Sequence, residues 1–313
     1  CFERPERFSR LLAWLQEGID EAGFFAAPPP LHETFDIGAR GFGASLFAKR
    51  TIAWGSTLAL LPTTRLITAT HYGGSTSSTS SAQAHMSAFI ANQREEGERS
   101  PWAAYIALLP EAHDHLPKYW PSSIVEAHLK GSLFSQYVEA QREKAKDAFQ
   151  ALPDRLAALS WADFEWGWDA TATRSMDLGR RSGLNESLAF FPLLDLALHG
   201  DPPNVQCLFD QDLRALRVIA TRRIDAGEEI FNGYIRDGSH SSWEVLCVGR
   251  TLKEGAGCGR GAWVVFLNPW WACEASQALA VAVGHEMDMK SWGCDASQAE
   301  SLVLCAGILA CEA

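Results

Sequence analysis

The feature that most constrains this chain is a double change in its hydrophobic period. Residues 40–62, "RGFGASLFAKRTIAWGSTLALLP", carry two short strand-like runs, "ASLFAKRTI" and "STLALLP", around a turn at Trp54-Gly55. From 84 to about 178 the spacing becomes helical. After 187 it shortens again, through "NVQCLFD", "ALRVIATRRI" and "EEIFNGYI", with turns at "QDLR" and "DAGEE". Two β-rich segments that bracket a helical block predict an α+β fold in which the β segments meet and the helices form an insert.

Smaller signals fill in the outline. Phe8, Leu11, Leu12 and Leu15 recur at helical spacing and predict an amphipathic helix over 5–22, ended by "APPP" at 27–30. "GGSTSSTSS", 73–81, is low in complexity and expected to be a mobile loop. "AHMSAFIANQREE" is helical. Ser100-Pro101 opens the next helix with an N-cap and a proline at the first helical position. "SSIVEAHLKGS" and "LFSQYVEAQREKAKDAFQAL" follow, the latter with Phe134, Tyr137 and Val138 on one side and a charged, solvated face on the other.

Composition excludes some functions. At 313 residues the chain can bury a sizeable core, and twelve Trp fit core packing or clefts. A formal net charge of -11 disfavours wholesale nucleic-acid binding and suits a basic protein or peptide partner. Five of eight Cys (Cys258, Cys273, Cys294, Cys305 and Cys311) fall after residue 250, and no C-x-x-C pair occurs, so neither a zinc site nor a disulfide scaffold is indicated. An intracellular compartment, cytoplasm or nucleus, is expected. No apolar run is long enough for a membrane span. A start at Cys1 instead of Met is expected of a fragment.

Four places carry possible chemistry. Gly41-Phe42-Gly43 is a turn, or a place where backbone approaches a ligand closely. Arg174, in Thr173-Arg174-Ser175, makes a surface ion pair or binds an anion. Asp195 and His199 lie four apart inside the apolar run "FPLLDLALH", either on one face of a turn as satisfied polar groups or lining a site. Tyr234 ends a strand, as core or with its hydroxyl in a cleft.

In order and context these stretches are more specific. "RGFGASLFAKRTIAWGSTLALLP", "SPWAAYIALLP" followed by "LPKYWPSS", "TATRSM", "FPLLDLALH" and "RRIDAGEEIFNGYI" occur in series. From about 38 to 247 the chain resembles the SET-domain protein methyltransferases, in the branch of Rubisco large-subunit lysine methyltransferase. The resemblance implies a β-rich SET domain, with small sheets around a pseudoknot-like core, split by a helical insert. It divides the chain into an N-terminal helix and connection (1–37), a first SET part (38–70), the insert (71–186) and a second SET part with the active site (187–250). Residues 251–313 form an atypical tail in which the branch's substrate-binding domain is not recognisable. From Val248 the tail is expected to be foreign to the family.

The resemblance also implies methyl transfer from S-adenosyl-L-methionine to a protein side-chain nitrogen, most often that of lysine, by a monomer. Position by position, Tyr234 matches the catalytic tyrosine. Arg40 and Phe42 match backbone contacts to the cofactor, Arg174 a group near its carboxylate, and His199 a backbone contact to its adenine. Asp195 matches a carboxylate beside the lysine channel. Leu198 stands where the family has a cofactor-binding Asn, which removes a polar contact of roughly 1–3 kcal/mol. Gly249-Arg250 replaces the family's Gly-Phe, whose Phe packs on adenine. These departures keep two other readings open: a catalytically impaired SET module acting as a protein-binding adapter, and a defective fragment.

Overall fold

The computed structural model describes residues 4–25, 27–40, 43–68, 79–114, 116–129, 133–152, 159–177, 188–200 and 202–233. Helix α1 (Arg4–Ala22) buries the predicted stripe of Phe8, Leu11, Leu12 and Leu15, extended one turn by Ile19. After a single turn, α2 (Leu31–Thr34), the chain enters β1 (Phe35–Arg40) and β2 (Gly43–Ala48), an antiparallel pair. Strand β3 (Thr57–Pro62) follows the Trp54-Gly55 turn, where Gly55 takes a φ of 75° that favours glycine. A short β4 (Ile67–Thr68) closes the first β segment.

The helical block then runs through α3 (Thr79–Glu96), α4 (Ala103–Ile106), α5 (Ser122–Leu129), α6 (Leu133–Gln150) and α7 (Trp161–Arg174). Residues 79–81, expected in the loop, belong to the first turn of α3. Ala82, Met86 and Ile90 are fully buried and anchor that helix from the next turn on, so packing overrides the low-complexity composition. Ser100 and Pro101 do not open the helix as expected: α4 starts at Ala103 with Trp102 at the cap position and no side-chain cap bond, and Ser100 Oγ instead accepts from Trp102 N–H at 3.0 Å in the preceding turn. Helix α7 is capped by Ser160, whose Oγ accepts from Asp163 N–H at 3.1 Å. α3 and α7 cross closely because Gly167 lacks a side chain; a Cβ there would lie 2.2 Å from the Ser87 carbonyl oxygen.

The return segment supplies β5 (Ser175–Asp177), β6 (Leu188–Phe190), β7 (Leu198–His199), β8 (Val205–Asp210), β9 (Ala215–Ala220) and β10 (Phe231–Asn232). Among the described residues four small sheets result, in the orders β1-β2, β3-β9-β8, β4-β6-β5 and β10-β7. Two of them join the sequence segments on either side of the helices: β3 pairs antiparallel with β9, and β4 with β6. One core cluster joins α1, the strands and the faces of α3 and α4, with Trp102 and Trp166 inside it. A second, around Phe164 and Trp168, lies between α3, α6 and α7. Among the described tryptophans Trp54 is the exception, 77% exposed at its turn. Among the described residues no helix is long and apolar enough to cross a membrane.

Candidate functional site

The sheets converge on the segment 188–200. β6 lies between β4 and β5, so Phe190 faces Ile67 on one side and Ser175 on the other. The chain then bends sharply. Leu193 takes φ 85° and ψ -55°, a conformation an L-residue adopts at a cost of about 1–3 kcal/mol. A 3-10 turn, Leu194–Leu196, follows, and Asp195 N–H donates to the Phe191 carbonyl at 3.1 Å. Asp195 and His199 are therefore not on one helical face: the first sits in the turn, the second in β7.

β7 is held in place by its parallel partner. Leu198 pairs with Phe231 and His199 with Asn232. Gly200 permits that approach, since a Cβ there would lie 2.6 Å from Phe231 Cβ. Its N–H donates to the Asn232 carbonyl at 3.1 Å. The Gly-Asp-Pro-Pro-Asn stretch ends in a pin. Asn204 is fully buried; its Nδ2 donates to the Glu229 carbonyl at 2.8 Å, and its Oδ1 accepts from Phe231 N–H at 2.6 Å. One residue thus fixes the strand that leads to Tyr234. On the other side of that strand, Ser45 Oγ donates to Glu229 Oε1 at 2.7 Å, tying it to β2.

The Asp195 carboxylate precedes β7 by three residues, and its side chain is 0% exposed. Tyr105 of α4 donates its hydroxyl to Asp195 Oδ2 at 2.8 Å. Arg174, the last residue of α7, donates Nη1 to the same oxygen at 3.2 Å. Oδ1 is buried and has no hydrogen-bond partner among the described residues. Burial pushes the Asp195 carboxyl up from its ordinary value, against the opposing pull of Arg174 and Tyr105. Burial also pushes the Tyr105 phenol well up, and the neighbouring Asp195 adds to it. Asn232 Nδ2 lies 3.5 Å from Met176 Sδ, a weak contact.

The predicted residues are distributed as follows. Arg174, at the end of α7, meets Asp195 in the 3-10 turn, while Leu198 and His199 follow in β7, paired with β10. Arg40 ends β1, its backbone in register with Gly43. Phe42 and Tyr234 lie outside the described residues, as do Gly249, Arg250 and the tail. Sequence reasoning gave no role to Tyr105, Asn204 or Asn232. Tyr105 is present in "SPWAAYIALLP", but ninety positions separate it from Asp195, and no local spacing announces that contact.

A second buried polar cluster sits within the helical block. Lys118 Nζ lies 2.7 Å from Asp169 Oδ1 and 3.1 Å from Glu165 Oε1, and Tyr119 donates its hydroxyl to Asp169 Oδ2 at 2.6 Å. Burial pushes the Asp169 carboxyl up to about 6 despite Lys118. Arg142 of α6 donates to the carbonyls of Lys118 and Trp120, at 2.7 and 2.9 Å. These contacts fasten "LPKYW" to α6 and α7, which is a structural task.

Comparison with known proteins agrees with this architecture. The family model described as the SET domain matches residues 43–235. Human SET domain-containing protein 4 (Homo sapiens) is 24% identical over 172 residues, covering 50% of this chain and 38% of that protein. Among solved structures, the SET domain of LSMT bound to lysine and AdoHcy superposes with a TM-score of 0.61 at 19% identity, over 80% of this chain and 58% of that one. Rubisco LSMT bound to AdoMet gives 0.59 at 17% identity, over 97% and 75%. The chain therefore spans less than two thirds of the length of the human relative and of the first of these structures.

Proposed function

The chain belongs to the SET domain family, and from that premise we propose that it is an S-adenosyl-L-methionine-dependent protein methyltransferase acting on a side-chain nitrogen, most often lysine. The observation that carries the reading is the contact of Arg174 with the buried Asp195, three residues before β7, whose parallel partner β10 precedes Tyr234 in the sequence.

The residues present fit the cofactor with one contact missing. Arg174 is partly exposed, with a side chain 19% accessible, and holds Asp195 through a single nitrogen, a contact it can exchange for a carboxylate. By the family resemblance, His199, Arg40 and Phe42 offer backbone groups. Leu198 supplies no amide. When bound, the cofactor supplies the electrophilic methyl group.

The chain's own residues do the rest. A free lysine amine has a pKa of about 10.4 and is protonated at neutral pH. A buried channel disfavours that charged form. Asp195 Oδ1, an acceptor with no donor of its own, orients the entering amine by hydrogen bonding. Alignment of amine and methyl group supplies most of the rate. The Tyr234 hydroxyl steadies the charge that develops there. The partner is a protein that presents the acceptor lysine, without nucleic acid or membrane, and the enzyme works as an intracellular monomer. A net charge of -11 supports a basic partner.

Incubation with labelled S-adenosylmethionine and lysine-bearing proteins tests the activity. Label in protein that is lost with Tyr234→Phe supports it; turnover unchanged by that substitution counts against the tyrosine. A second reading, favoured by Leu198, is an impaired module that binds protein without transferring a methyl group. Protein capture with no transfer in the same assay selects it.

A further inference from the structure

We propose that Tyr105 is a positioning residue for this site: its hydroxyl fixes Asp195 Oδ2, so that the carboxylate keeps its place, with Oδ1 free, when Arg174 turns to an anionic ligand. The inference rests on the methyltransferase reading for the identity of that ligand.

Three observations lead to it. First, both donors converge on one oxygen, Tyr105 at 2.8 Å and Arg174 at 3.2 Å, while the other is buried without a partner among the described residues. An unsatisfied buried acceptor is costly. Arginine–carboxylate pairs are frequently bidentate, but Arg174 contacts a single oxygen.

Second, the two donors differ in burial. Tyr105 is 1% exposed, and its ring packs edge-on against Phe190 of β6, with centroids 6.0 Å apart. Phe190 belongs to the strand that leads into the Asp195 turn. Arg174 makes the longer contact from the end of a helix and is partly exposed. One hold is rigid and the other can be released.

Third, the phenol stays a donor. Burial and Asp195 keep it protonated far above neutral pH. The charged and titratable groups that act on Asp195 are Arg174 from α7 and Tyr105 from α4. Once Arg174 leaves, Tyr105 is the remaining side-chain donor to the buried carboxylate. Without it Asp195 takes a proton from solvent, and its oxygen becomes a poorer acceptor for an amine.

The test is calorimetric titration of the full chain with S-adenosylhomocysteine near neutral pH, in two buffers of different ionisation enthalpy. The difference gives the protons taken up per binding event. Tyr105→Phe is expected to take up more than wild type, by about half a proton or more, and Tyr105→Phe/Asp195→Asn to lose that excess. Equal uptake by wild type and Tyr105→Phe overturns the proposal. If Tyr105→Phe does not fold, the structure of the wild-type complex decides. Tyr105 within hydrogen-bond reach of Oδ2 and Arg174 withdrawn supports the proposal; Arg174 still on Asp195, or Tyr105 displaced, overturns it. Failure of folded wild type to bind the compound overturns the methyltransferase reading, and this inference with it.

Discussion

Arg174 Nη1 lies 3.2 Å from Asp195 Oδ2, which joins the last residue of the helical block to the turn that enters the second β segment. The pair is lopsided, since the Arg174 side chain is 19% exposed and that of Asp195 is 0%. Arg174→Ala therefore strands a buried carboxylate. The loss is expected to be roughly 1–3 kcal/mol. Removing the cation lifts the Asp195 pKa further, so the variant's deficit is largest where the carboxyl is charged and shrinks as falling pH neutralises it. Urea unfolding of variant and wild type at several pH values checks this. A deficit that does not change with pH contradicts the buried pair.

Leu198 pairs with Phe231 in the β7–β10 register, and the family resemblance implies a side-chain amide at this position. Under the methyltransferase reading, Leu198→Asn restores a polar contact and tightens S-adenosylhomocysteine binding about tenfold, the equivalent of one net hydrogen bond. Calorimetry on both forms measures it. Unchanged affinity means that position 198 does not face the cofactor.

Asn204 satisfies two backbone groups of the strand that leads to Tyr234, the Glu229 carbonyl and the Phe231 N–H. Asn204→Ala leaves both buried and unpaired and is expected to cost about 2–4 kcal/mol. Gly200→Ala attacks the same joint from β7, by forcing a Cβ against Phe231. Denaturant unfolding measures each. Losses within experimental scatter of wild type contradict the pin.

The Asp169 carboxyl, pushed up to about 6 from an ordinary 3.8, binds its proton more tightly in the folded protein than in the unfolded chain. Between those two values the folded state holds more protons, so this group's contribution to stability falls as pH rises through the window and is level above it. Asp169→Asn is expected to remove that slope. Stability measured from about pH 4 to 7 in both forms, as a difference, checks the sign.

The fold was legible wherever period and burial coincide. The stripe of α1, the turn at Trp54-Gly55 and the return of strand spacing after 187 follow from where apolar side chains recur, and the structure repeats them. The turn around Asp195 was not legible. Leu193 with positive φ breaks the spacing that "FPLLDLALH" implies, so Asp195 and His199 part company. Tyr105 was hidden for another reason: its partner is ninety positions away, and a lone Tyr in an apolar helix looks like any core residue until the helix is placed. Composition failed at Thr79, where a serine-rich stretch becomes helix because the next turn is buried.

The most direct measurement of the central claim is calorimetric titration of the full chain with S-adenosylmethionine. The methyltransferase account predicts saturable, one-to-one binding in the micromolar range, weakened in Arg174→Ala. A folded sample that shows no binding contradicts it.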